Sequence, residues 1–143
     1  MLNHYDRPLP LVTETEKGFW EGAKRHQLMV YRCANCGAYY NPPTHCLACD
    51  NPRMGWVRAS GKGKVYTFIV YHVAYHPSWE KYLPYNVAWV ELVEGPLIMT
   101  NIVGCKLEDI HIDMPVEVTF EDVTGEISLP RFRPLVSSAG QAF

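Results

Sequence analysis

The spacing of apolar residues changes period once along the chain. Phe19, Trp20 and Ala23, then Leu28, recur at helical intervals behind a T-x-x-E capping box formed by Thr13 and Glu16, which predicts a helix from about Glu14 to His26. L-M-V-Y-R-C at 28–33 reads as a strand, and A-Y-Y-N-P-P-T-H-C at 38–46 as its return. G-W-V-R-A-S-G-K-G-K at 55–64 reads as a Gly/Lys link. From Val65 the pattern is β throughout. Runs rich in β-branched and aromatic residues predict strands at Lys64–His72, Asn86–Val93, Pro96–Gly104, Val116–Asp122 and Leu129–Arg133, with Glu94-Gly95 as a hairpin turn.

Five short strands, with residues 107–115 connecting the third to the fourth, predict a five-stranded Greek-key barrel of the OB-fold type. The fold class expected is therefore mostly β: an N-terminal helical segment (1–28), a four-cysteine ribbon (29–58), an OB-fold domain (59–135) and a flexible tail (136–143). The longest irregular insertion, V-A-Y-H-P-S-W-E-K-Y-L-P-Y at 73–85, is rich in aromatic residues, and loops of that kind tend to carry function.

The candidate chemistry lies at residues 33–49, where Cys33/Cys36 and Cys46/Cys49 form two Cys-x-x-Cys pairs. A two-residue gap turns the backbone tightly enough for both sulfurs of a pair to face one ion, and two such knuckles complete a tetrahedral shell. Structural zinc is expected; an iron centre of rubredoxin type uses the same ligands and stays open. Four sulfurs leave no coordination position for water, so the metal is expected to hold structure rather than catalyse. Gly37 suits the first knuckle; Asp50 and Asn51 follow the second, where glycine is the easier choice. His45, beside Cys46, is not needed as a ligand.

Charge narrows the function classes. Fifteen acidic residues against 13 basic give a net charge of −2, which speaks against nucleic acid as a partner, although ribbons and OB-folds both occur in nucleic-acid-binding proteins. M-L-N-H-Y-D lacks a signal-peptide pattern and no apolar run approaches the ~20 residues of a bilayer span, so a cytoplasmic protein without membrane association is expected. Cys105 is the one cysteine outside the ribbon. With His72, His76 and His111 it offers a possible nucleophile and base, but an isolated cysteine more often serves as a small buried hydrophobe.

Several stretches together resemble a known family of small proteins that join a rubredoxin-like zinc ribbon to an acyl-CoA-associated OB-fold domain and accompany thiolase-like enzymes. They are F-W-E at 19–21, the four cysteines with Pro42-Pro43 between them, S-G-x-G at 60–63, Pro84-Tyr85, E-L-V-E-G at 91–95, Val103-Gly104, M-P-V at 114–116 and P-R-F-R-P at 130–134. The resemblance implies a non-catalytic accessory subunit in a hetero-oligomer with a thiolase-superfamily partner acting on acyl-CoA thioesters, with the catalytic groups on the partner. Rival readings are a single-stranded nucleic-acid module and a stand-alone acyl-CoA-binding protein. If the chain touches coenzyme A, Lys62, Lys64, Arg131 and Arg133 suit its phosphates and Phe132 its apolar arm. Phe19, Trp20, Tyr75, Trp79 and Tyr82 are the expected partner contacts, since Trp and Tyr dominate interface hot spots.

Overall fold

The computed structural model describes residues 5–41, 44–49 and 53–135. Pro42, Pro43, Asp50, Asn51 and the tail 136–143 lie outside them. The one α-helix among the described residues, α1 (Lys17–Lys24), is shorter than the pattern predicts. Residues 14–16 form a turn instead, in which the Glu16 N–H points back to the Thr13 carbonyl at 3.1 Å and to its Oγ1 at 3.4 Å. At the other end Gln27 N–H donates to Gly22 O and His26 N–H to Ala23 O, a Schellman closure with His26 left-handed at φ 59°. His26 is held there from outside the helix. Its Nε2 lies 2.8 Å from Asp122 and its ring stacks on Phe120 at 5.1 Å.

Strands β1 (Met29–Cys33), β2 (Tyr39–Tyr40) and β3 (Met54–Arg58) form an antiparallel sheet in the order β2-β1-β3. β3 corrects the expected Gly/Lys link: M-G-W-V-R is a full partner of β1, pairing Met29 with Arg58 through Cys33 with Met54. The second sheet contains β4 (Lys62–Tyr71), β5 (Tyr85–Leu92), β6 (Leu97–Thr100), β7 (Pro115–Asp122) and β8 (Ser128–Pro134), in the order β6-β5-β4-β7-β8. A parallel bridge from Ile102 to Phe132 links the two ends and curls the sheet toward closure, the strand arrangement of an OB-fold. A bulge at Tyr66 lets β4 bend enough to pair with both β5 and β7.

Where β4 is crossed by both neighbours, only glycine fits: a Cβ on Gly63 would stand 2.4 Å from the Glu91 carbonyl oxygen. β6 ends four residues before the predicted Gly104 because Asn101 leaves β5 and crosses to β8. Buried Asn86 fixes that crossing, accepting from Ile102 N–H at 2.7 Å and donating to Ile102 O at 2.9 Å. The loop 73–85 is ordered around a 3-10 helix, Pro77–Tyr82.

One apolar core runs through both sheets. Leu28 and Val30 of the ribbon pack with Val65, Val90, Val116 and Phe132 of the barrel, and Ala59 N–H donates to Leu28 O at the join. No described helix is long and apolar enough to cross a membrane.

Candidate metal centre and surrounding surfaces

The hairpin from β1 into β2 carries the first knuckle, and residues 46–49 carry the second. Their four Sγ atoms lie within 4.8 Å of one another, and three pairs measure 3.4–3.6 Å: Cys33–Cys49, Cys36–Cys46 and Cys46–Cys49. Four sulfurs ~2.3 Å from one zinc would be about 3.8 Å apart, so the donor set fits a tetrahedral thiolate site. Among the described residues this cluster is made of the four sulfurs alone, without His45.

The two knuckles are supported differently. Cys33 Sγ receives the Asn35 and Cys36 N–H groups, each at 3.4 Å, which hold its thiol below the ordinary value, Cys36 above all. In the second knuckle a tyrosine intervenes. Leu47 and Ala48 N–H donate to Tyr40 Oη at 3.0 and 3.3 Å, which leaves the hydroxyl hydrogen for Cys46 Sγ at 3.5 Å. That contact, first among its causes, lowers Cys46 to about 5, and it raises Tyr40. Cys36 is pulled down by Ala38 N–H, but the neighbouring sulfur of Cys46, burial and the other two thiols outweigh this and push it up to about 12. Four thiolates at this spacing do not ionise together without a cation, so metal binding must displace protons. The T-x-x-E and knuckle patterns give no hint of Tyr40. Its role arises from the Tyr31↔Tyr40 register of β1 and β2.

The other candidate residues separate into groups. Lys62, Glu117 and Arg133 form one cross-strand row, with Arg133 Nε 3.2 Å from Glu117. Lys64 is held between Glu91 at 3.7 Å and Asp113 at 3.6 Å. Phe132 is wholly buried in the core. Arg131 pairs with Glu121 at 3.2 Å, and Arg7 shares that carboxylate at 3.6 Å.

Phe19 and Trp20 meet edge to face at 4.9 Å; Phe19 packs on the core while Trp20 lines an apolar slot between β6 and β8. Trp79 stacks on Tyr85 at 4.4 Å and touches Tyr82 at 5.9 Å, and Arg7 lies over both Trp79 and Tyr82. Tyr82 Oη donates to Asp6. Tyr75 is 82% exposed. The residues missed from the sequence are Tyr71, Tyr85 and Val87, which border the same hollow as Tyr75 and Trp79, and the N-terminal clasp of Asp6 and Arg7.

Comparison with known proteins agrees with this architecture. Residues 20–55 match the ChsH2 rubredoxin-like zinc ribbon domain and residues 56–121 the ChsH2 C-terminal OB-fold domain. A DUF35 domain-containing scaffold protein of Methanocaldococcus jannaschii is 43% identical over 73% of this chain and 75% of its own length. The chain belongs to the ChsH2/DUF35 family.

Its relatives differ in size. A probable enoyl-CoA hydratase alpha subunit of Thermomonospora curvata is 40% identical over 91% of this chain, but the chain spans only 40% of that protein. Among solved structures, a chain of the Ltp2-ChsH2(DUF35) aldolase superposes with a TM-score of 0.79 at 38% identity, over 88% of this chain and 98% of that one. A DUF35-family protein from Sulfolobus solfataricus shares the fold alone, with a TM-score of 0.57 at 11% identity over 85% of this chain and 86% of that one.

Proposed function

We propose that this ChsH2/DUF35 chain is a non-catalytic accessory subunit that binds a thiolase-superfamily enzyme and helps shape that partner's acyl-CoA site. The observation that carries the reading is the near-complete likeness to a chain of the Ltp2-ChsH2(DUF35) aldolase, in which a protein of this family accompanies an enzyme. The chain's own candidate nucleophile points the same way. Burial, and then the Asp109 charge, raise the Cys105 thiol, the opposite of what a nucleophile needs. The metal is assigned as structural zinc, whose role is to lock the ribbon with all four positions filled by sulfur. The setting is the cytoplasm, where acyl-CoA enzymes and reduced thiols coexist.

On this reading Tyr75, Trp79 and Tyr82, with Phe19 and Trp20, meet the partner. Lys62 and Arg133, one on each side of Glu117, are assigned to the phosphate end of coenzyme A, with Arg131 and Lys64 adjusting the local charge and Phe132 supporting the strand from the core. The test is co-expression with a thiolase-like protein encoded beside this chain. Co-elution, and a KM for acyl-CoA that rises on Lys62→Glu with Arg133→Glu while the complex persists, are expected. A partner that purifies alone, fully active and with no affinity for this chain, would defeat the reading.

A further inference from the structure

Two hollows lie side by side on the outward face of the second sheet. Along β5, Asn86, Ala88 and Val90 are buried, while Tyr85, Val87 and Trp89 alternate with them and point outward. Cross-strand register sets Tyr71 beside Tyr85 and Met99 beside Trp89, so that face is apolar across three strands. Met99, 62% exposed, stands between the slot beside Trp20, about 650 Å³, and the hollow beside Trp79, about 460 Å³. Thr100 and Arg131 also border both, so the two make one trough. Each part is of the size that holds a small organic molecule.

Charge restricts the occupant. Arg131 and Arg7 both pair with Glu121, and Glu16 lines the slot, so two positive groups face two negative ones. His76, at the hollow, accepts from the Ser78 N–H through Nδ1, which leaves its ring neutral. The trough therefore suits an uncharged, apolar body. Its far wall consists of rings: Tyr85 meets Tyr71 at 31° and Trp79 at 32°. Toward β8 it leads to the phosphate end assigned above, because Arg131 and Arg133, two residues apart, share one face of that strand.

We infer that this trough holds the acyl group of the partner's thioester substrate, and that the substrate belongs to the bulky, apolar acyl class rather than to short acyl groups such as acetyl. Ring faces and the pliable Met99 thioether supply contact area without charge. The enzyme partner, seated on the surrounding aromatic residues, closes the open side.

The inference rests on the accessory-subunit reading and is tested on the assembled complex with the thiolase-like protein. The probes are ethyl-, hexyl- and decyl-CoA thioethers, which the partner cannot cleave, titrated by calorimetry. Affinity should rise about 3- to 4-fold for each added carbon that is buried. Met99→Glu sets a charge at the middle of the trough, on a side chain exposed enough for the fold to tolerate it. It should reduce the decyl-to-ethyl affinity ratio by about 10-fold or more, while the mass of the complex and its metal content stay those of wild type. A complex that binds all three probes equally, or whose ratio Met99→Glu leaves untouched, would overturn the acyl site and leave the accessory role intact. Loss of the complex on Met99→Glu would make this face a protein contact and overturn the inference. No complex with the unaltered chain would overturn both.

Discussion

Tyr40 shows how one side chain completes a metal site that the ligand motif only outlines. Its hydroxyl accepts from the Leu47 and Ala48 amides and passes a hydrogen bond to Cys46, beside the backbone support that Cys49 and Ala48 give that sulfur. Tyr40→Phe should therefore keep the ribbon folded but lower metal affinity by roughly 10- to 100-fold, as loss of outer contacts to metal ligands does, measurable by competition with a chelator. Cys46→Ser should abolish stoichiometric metal. The cysteine pairs were legible because a thiolate site needs fixed local spacing. Tyr40 was not, because it acts only after β1 and β2 have paired. A second residue-scale test concerns Asp122, whose carboxyl is held below 3.8 first by Ser128 and then by His26. A depressed carboxylate stabilises the fold above its unfolded pKa and loses that contribution as pH falls through the folded value. Asp122→Asn should therefore flatten the acid side of the stability curve near and below pH ~4, followed by urea unfolding against wild type across that range.

At the scale of elements, strand periodicity located the barrel, and its errors have physical causes. The ribbon's third strand carries no strand signal in the sequence, because M-G-W-V-R has a glycine and half-buried positions without alternation. The pattern extends β6 (Leu97–Thr100) too far because I-V-G at 102–104 keeps its β character after the chain has crossed to β8. The crossing depends on Asn86, a polar residue at 6% exposure inside an apolar strand, whose partner is 16 positions away. Asn86→Ala leaves the Ile102 backbone without its buried partners and should cost about 2–4 kcal/mol, seen as a lower denaturation midpoint. Gly63→Ala forces a Cβ against the Glu91 carbonyl and should cost about 1–3 kcal/mol in the same assay. The aromatic loop was legible as an unusual segment. Its clasp by Asp6 and Arg7 was not, since those contacts join residues more than 70 positions apart.

In the whole molecule, metal site and barrel are tied together by the core that runs from Leu28 and Val30 to Phe132. Removing the metal should thus lower the melting temperature of the entire chain by on the order of 10 °C or more, with the barrel's near-ultraviolet signal lost in the same transition. Two separate transitions would show that the sheets fold independently. The slot beside Trp20 and the hollow around Trp79 adjoin each other, sharing Met99, Thr100 and Arg131. The family resemblance implied a partner, but alternation alone did not show where one would bind, because β5 carries apolar residues on both faces. The most direct test mixes separately purified metal-loaded chain and thiolase-like subunit, then follows acyl-CoA turnover against added chain. The account predicts a saturable rise that levels off at a fixed stoichiometry, with a complex of matching mass. Turnover that is already full without the chain, in a mixture that forms no complex, would contradict it.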